Sequence, residues 1–122
     1  MNVKLLKQVA KAILAHPNNT DMTDWVNHHD HIAKCGTTGC IAGWIVAAAN
    51  LAKLRKIDTD RDIQLEAIEL LDITNEQSWE LFNGTKWPAK FRQAWLEATS
   101  RKEEAKVIVR RIKHFIKTKG QE

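Results

Sequence analysis

The sequence contains no tyrosine and no run of alternating β-branched residues. These absences argue against a β-rich fold, since strands favour β-branched and aromatic side chains. The hydrophobic fraction of 43% and the charged fraction of 28% are ordinary for a globular protein, which argues against low-complexity disorder. A length of 122 residues fits one domain over residues 1–122.

Long apolar segments are also missing. The longest candidate, residues 40–54, is shorter than the roughly 18 residues that span a bilayer, and it contains a glycine, an asparagine and a lysine. Lysines at positions 4, 7 and 11 leave no apolar core for a signal peptide. We therefore expect a cytoplasmic protein, in which a disulfide between Cys35 and Cys40 is disfavoured. The two cysteines are then packed thiols, metal ligands or a reactive group, and the sequence does not decide between these roles.

The spacing of apolar residues predicts an all-α fold of about seven short helices. The expected positions are residues 2–16, a short helix capped by Thr20 or Asp21, residues 39–54, a helix capped at 58–60, a helix opened by a capping box at 74–77, a short helix starting at Trp87-Pro88, and a last helix opened by a capping box at 100–103. Asn83-Gly84 is the expected end of the fifth helix.

The helix over residues 39–54 is rich in small residues, which let neighbouring helices approach on several faces. Its expected apolar stripe is Ile41, Trp44, Ile45, Ala48 and Ala52. We expect this helix to be the centre of a compact bundle. The corresponding stripes are Leu6, Val9, Ile13 and Leu14 in the first helix, and Ala105, Ile108, Ile112, Phe115 and Ile116 in the last.

A signature in the first half of the chain resembles an uncharacterised family of small phage, prophage and bacterial proteins. It runs from Asp21-Met22-x-x-Trp25 into Cys35-Gly36-Thr37-x-x-Cys40-Ile41-Ala42-Gly43-Trp44. The same pattern continues with Ala67-x-x-Leu70-Leu71-Asp72-Ile73-Thr74, Leu81-Phe82 and Trp87-Pro88. The resemblance implies a phage or mobile-element origin and brings no settled activity.

A turn of small residues lies before the helix at 39–54. Gly36, Thr37, Thr38 and Gly39 offer close backbone approach and hydroxyl donors at a helix start, where anions are received well. This turn is our candidate phosphate site. The alternative is that Thr38 caps the helix and the glycines only make the turn.

Two further interpretations involve the same region. His28, His29, His31, Cys35 and Cys40 offer zinc ligands within 13 residues, although the spacing of the cysteines lies at the edge of the usual range. The alternative is solvated histidines and packed cysteines, and we assign no metal ligand. A catalytic thiol at Cys35 or Cys40, with a nearby histidine as base, is the second interpretation. No second acid–base constellation supports it, so we expect no enzyme.

Positive charge is concentrated at the end of the chain. Residues 1–100 hold 11 basic and 12 acidic residues, whereas residues 101–122 hold 8 basic and 3 acidic residues. The last helix therefore carries a net charge of +5 and offers Arg110 and Arg111 to an anion. A solvated outer face is the alternative, since the helix shows no set of base-contacting residues.

The chain contains five tryptophans, many for its length. Trp25, Trp44, Trp79 and Trp95 lie on apolar stripes and are expected in the core. Trp87, next to Pro88 at a helix start, is the one expected at the surface, where it would stack on a base or contact a partner.

Together these features predict a small non-enzymatic binding protein, of phage or mobile-element origin, that captures an anionic nucleotide-like ligand or a host protein in counter-defence. Its ligand would contact Gly36–Gly39, Trp87, Arg110 and Arg111. We expect no cofactor, no membrane partner and a homo-oligomer. The alternatives are a nucleic-acid-binding regulator acting through residues 101–119 and a zinc-stabilised protein-interaction module.

Overall fold

The computed structural model describes residues 1–17 and 41–122. This part of the chain forms six α-helices, one short 3-10 helix at Gly84–Lys86 and no β-strand. The α-helices are α1 (Val3–Ala15), α2 (Ile41–Leu54), α3 (Asp60–Leu71), α4 (Asn75–Phe82), α5 (Ala89–Glu97) and α6 (Arg101–Lys117). The all-α prediction is confirmed. The predicted helix at Thr20 or Asp21 and the first two residues of the predicted 39–54 helix lie outside the described residues.

The first and last helices pack against each other, and this contact joins the two ends of the chain. α1 also packs on α2 and α3, while α2 packs on α1, α3 and α4. Within the described ranges α1 and α2 thus have equally many helical neighbours, so α2 does not stand out as the centre. Leu6, Val9 and Ile13 of α1 are fully buried as predicted, but Leu14 is 47% exposed and the prediction for it is wrong.

Helix α2 is interrupted near its end. Residues 41–46 are all buried, whereas Ala48 and Ala52 are exposed, so the predicted stripe is wrong beyond Val46. The backbone of Asn50 is extended, with φ −164° and ψ 91°. Its side-chain Oδ1 accepts a hydrogen bond from the N–H of Lys53 at 3.1 Å, which caps a final short turn.

The predicted caps of α3 and α4 are confirmed. Thr59 Oγ1 accepts from the N–H of Asp62, and Thr74 and Gln77 form the reciprocal bonds of a capping box at 3.1 and 2.9 Å. Asn83 caps the end of α4 in an extended conformation, so Gly84 does not act as a left-handed stop. The glycine is needed because a Cβ there would lie 2.5 Å from the Trp95 ring.

The capping box predicted at the start of α6 is half wrong. Ser100 Oγ accepts from the N–H of Glu103, as expected. The Glu103 carboxylate, however, accepts from the N–H of Thr99 at 2.8 Å and from its hydroxyl at 3.0 Å. These bonds lower the pKa of Glu103 and anchor the residue preceding the cap.

The apolar face of α6 is wider than predicted. Ala105, Ile108, Ile112 and Phe115 are buried as expected, and Val107 and Val109 are buried as well. Among the described residues, no helix has the length and apolar character needed to cross a membrane.

A candidate anion-binding surface

Two open grooves flank α6 on its exposed side. The α1/α6 groove, of about 520 Å³, is lined by Lys7, Ala10, Lys11, Leu14, Val109, Lys113, Ile116 and Lys117. The α5/α6 groove, of about 410 Å³, is lined by Lys90, Phe91, Ala94, Arg110, Lys113, His114 and Lys117. Lys113 and Lys117 line both grooves, so they form a basic ridge between them.

Helical spacing explains the layout of the α1/α6 groove. Lys7 and Lys11 are four residues apart on α1, and Lys113 and Lys117 are four residues apart on α6, so each pair projects from one side of its helix. Between the two pairs, the floor is formed by apolar side chains, namely Ala10, Leu14, Val109 and Ile116. The groove therefore combines an apolar floor with two basic walls.

Among the described residues that line the two grooves, none is acidic. The ion pairs found within residues 1–17 and 41–122 are Lys53–Glu66, Arg101–Glu104 and His114–Glu122. The lysines of the grooves and Arg110 thus have no carboxylate partner in the described part of the chain. Their charges are available to an anionic ligand.

His114 lies in the α5/α6 groove, with its ring centroid 5.1 Å from that of Phe91. Partial burial lowers its pKa, and the nearby charges of Lys90, Arg111 and Lys117 lower it further. Glu122, 3.9 Å away, acts in the opposite direction. His114 is therefore biased towards its neutral form in the folded protein.

Arg110 and Arg111 have different environments, although both were predicted to face a ligand. Arg110 is exposed and lines the α5/α6 groove. Arg111 is fully buried, so the predicted outward orientation is wrong. Its Nη2 donates to the Glu80 carbonyl at 3.1 Å, and its guanidinium lies 5.9 Å from the Phe91 ring and 5.7 Å from the Phe115 ring. Burial lowers the pKa of Arg111 to about 10.

The tryptophan predictions are reversed at two positions. Trp87 was expected at the surface but is buried, because its indole N–H donates to the Leu81 carbonyl at 2.9 Å and its ring packs 5.7 Å from that of Trp95. Trp79 was expected in the core but is 55% exposed. The fully buried Ser78 takes the inward position instead, accepting from Gln64 of α3 and donating to the Asn75 carbonyl.

The predicted phosphate turn, Gly36, Thr37, Thr38 and Gly39, lies outside the described residues, as do the histidines at 28, 29 and 31 and both cysteines. Their roles stay predictions. Among the residues that the structure describes, no three side chains of the metal-binding types cluster.

Helix α1 contributes to the basic surface, which was not predicted from the sequence. Lys7, Lys11, Lys90 and His114 line the grooves without having been predicted. A signal was present, because residues 1–20 contain three lysines and no acidic residue. The packing of α1 on α6 places this charge beside that of the last helix.

No protein-family model, curated protein or solved structure matches this chain. The fold and the surface together define an all-α protein with an open cationic face.

Proposed function

We propose that this chain is a non-enzymatic binding protein that captures an anionic partner through the grooves on either side of α6. The observation that carries the proposal is the convergence of six basic side chains, from α1, α5 and α6, without a carboxylate partner among the described residues. The phage or mobile-element origin implied by the signature at residues 21–44 fits a protein that sequesters a host molecule. Counter-defence is the role we propose on that basis.

A compact nucleotide site receives less support than an extended anionic partner. Two of the residues expected to hold a nucleotide, Trp87 and Arg111, have their side chains in the core. Arg110 with Lys113 and Lys117 still offers charge for a phosphate. Nucleotide capture by these residues together with Gly36–Gly39 stays a prediction.

Nucleic-acid binding is the second candidate. It is favoured by the exposure of Lys102, Lys106, Arg110, Lys113 and Lys117 along α6. Phosphate contacts of this kind give binding that weakens steeply with salt. Glu103 and Glu104 in the first turn of the helix reduce its positive charge at that end.

Fluorescence anisotropy with three labelled probes tests the proposal: a nucleoside triphosphate, a single-stranded oligonucleotide and an acidic peptide. We expect at least one probe to bind in a salt-sensitive manner. The variant Lys113→Glu/Lys117→Glu should weaken that binding about tenfold or more, since it reverses the ridge shared by both grooves.

The matched control is Lys56→Glu/Lys86→Glu, which makes the same change in net charge at exposed positions outside both grooves. It should retain binding. If no probe binds, or if both double variants lose binding equally, the proposal is wrong.

The cytoplasmic location, the homo-oligomeric state and the zinc-stabilised module remain predictions from the sequence. Native mass spectrometry of the gently purified protein reports subunit number and bound zinc in one measurement. Zinc at a stoichiometric level, together with loss of helicity on chelation, would favour the zinc module.

A further inference from the structure

We infer that the α1/α6 groove binds an acidic amphipathic helix of a protein partner. The inference rests on the proposed function and specifies the partner. It depends on three features of the groove: an apolar floor, two basic walls and a helical repeat on each wall.

The floor of the groove indicates a partner that brings apolar side chains. Leu14 is 47% exposed, and Ile116 is only partly buried. Ala10 and Val109, which are nearly covered, complete the floor. Covering this surface with apolar atoms is favourable, whereas a phosphate backbone gains nothing from it.

The walls indicate a partner that carries negative charge on both sides of its apolar stripe. Lys7 and Lys11 line the wall from α1, and Lys113 and Lys117 line the wall from α6. Each pair spans about 6 Å along its helix axis, which is four residues at about 1.5 Å each. Carboxylates spaced four residues apart on a partner helix have the same repeat and pair with both walls in register.

An extended peptide does not meet these requirements equally well. Successive side chains of a strand point to opposite faces, so it presents one row of side chains to a groove. A helix presents an apolar stripe with acidic residues on both flanks. The ridges of α1 and α6 also form the type of groove in which a third helix packs.

Nucleic acid fits the α1/α6 groove less well than it fits the outer face of α6. The described residues that line this groove include no aromatic side chain for base stacking, and no Arg, Asn or Gln to contact base edges. An acidic helix uses both the floor and the walls, and for this reason we choose it as the occupant.

The test uses a synthetic peptide of about 18 residues, long enough for about five helical turns, with leucines on one stripe and glutamates on both flanks. A scrambled peptide of the same composition is the control, because it keeps the charge and loses the stripe. We expect the amphipathic peptide to bind about tenfold or more tightly than the scrambled one and to gain helicity on binding, as seen by circular dichroism.

Variants of the protein distinguish the two grooves. Lys7→Glu/Lys11→Glu changes the α1/α6 groove alone, and Lys90→Glu/Arg110→Glu changes the α5/α6 groove alone, with the same change in charge. We expect the first to lose peptide binding and the second to retain it. Leu14→Ser, at an exposed position, should weaken binding while the salt dependence persists. Urea unfolding of each variant checks that it is folded.

The outcomes separate this inference from the proposed function. If the oligonucleotide or the nucleotide binds and the amphipathic peptide binds no better than its scrambled control, the inference is overturned and the proposed function stands. If no probe binds, both are overturned. Sedimentation velocity tests whether the protein self-associates. If it does, and if Lys7→Glu/Lys11→Glu abolishes the self-association, the groove binds a second copy of the chain and the inference is also overturned.

Discussion

Arg111 places a guanidinium inside the core, between the rings of Phe91 and Phe115. Its Nη2 donates to the Glu80 carbonyl, while Nε and Nη1 have no acceptor in the part of the chain that the structure describes. A buried charge with unsatisfied donors costs free energy that packing around the side chain offsets.

We therefore predict that the free energy of unfolding of Arg111→Met is no more than about 1 kcal/mol below that of the wild type. The reason is that methionine fills much of the same space without a charge. Arg111→Ala should lose about 3 kcal/mol through the cavity it leaves. Urea unfolding measures both. A loss for Met as large as that for Ala would show that the guanidinium itself stabilises the fold.

Gly84 is required by the close approach of Trp95. A Cβ at this position would lie 2.5 to 2.9 Å from three atoms of the indole ring. We predict that Gly84→Ala destabilises the protein by about 1–3 kcal/mol, because the ring must shift out of a packed position. The exposed neighbour Lys86→Ala is the control for urea unfolding. Equal stability of the two variants would contradict the prediction.

His114 gives the fold a dependence on pH. Since its pKa is lowered in the folded state from an ordinary value of 6.5, the unfolded chain binds the proton more readily. The contribution of neutral His114 to the free energy of unfolding is present in full above about pH 6.5 and is lost as the pH falls through the lowered pKa. Lys90, Arg111 and Lys117 favour the neutral form, and Glu122 opposes them.

We predict that the wild type loses more unfolding free energy than His114→Gln between about pH 7.5 and about pH 5. The difference between the two proteins isolates His114, because all other titrating groups are shared. Urea unfolding at both values measures it. Parallel losses in the two proteins would contradict the assignment.

Among the helices, α2 depends on a local cap within its own length. Asn50 interrupts the helix, and its Oδ1 accepts a hydrogen bond from the N–H of Lys53. We predict that Asn50→Ala costs about 1 kcal/mol in urea unfolding, whereas Asn50→Asp, which retains an acceptor, costs a few tenths. If alanine stabilises the protein instead, a continuous helix is the preferred state and the cap is dispensable.

The positions of helices were largely predictable, since capping and periodicity are local properties. Thr59, Thr74 and the stripe of α6 were identified from spacing alone. The edges of the buried faces were not, because they depend on the neighbours in the fold. Leu14 continues the α1 stripe in sequence, yet it is 47% exposed in the groove between α1 and α6.

The side-chain orientations in α4 and near α5 also could not be predicted from the sequence. Trp87 is buried because a carbonyl six residues earlier accepts its N–H, and Ser78 displaces Trp79 from the core because Gln64 of another helix bonds to it. These are contacts between elements, which hydrophobic spacing does not reveal. The part of the basic surface on α6 was predicted, and the part on α1 was not. Arg110 was predicted from the charge of α6, whereas Lys7 and Lys11 lie near this helix only because the first and last helices of the chain pack together.

Across the whole molecule, charge is separated. Residues 58–80 hold eight acidic residues and one basic residue, whereas α6 holds seven basic and two acidic residues and α1 holds three lysines and no acidic residue. Because α1 and α6 pack together, lysines lie on both walls of their groove, and we expect these like charges to repel one another. On this expectation, an anionic partner would relieve a repulsion that is present in the free protein.

We predict that salt stabilises the free protein, with unfolding free energy rising by several tenths of a kcal/mol to about 1 kcal/mol between about 20 and about 300 mM NaCl. Lys11→Glu should be more stable than wild type at low salt and less sensitive to salt, since it replaces repulsion across the groove with attraction. Lys56→Glu, outside both grooves, is the control. Urea unfolding of the wild type, Lys11→Glu and Lys56→Glu at the two salt concentrations measures this. An equal dependence of the unfolding free energy on salt in all three would show that the groove lysines do not destabilise the fold. A weaker slope in Lys11→Glu alone would mean that the charges available to a partner are maintained at the expense of the stability of the free protein.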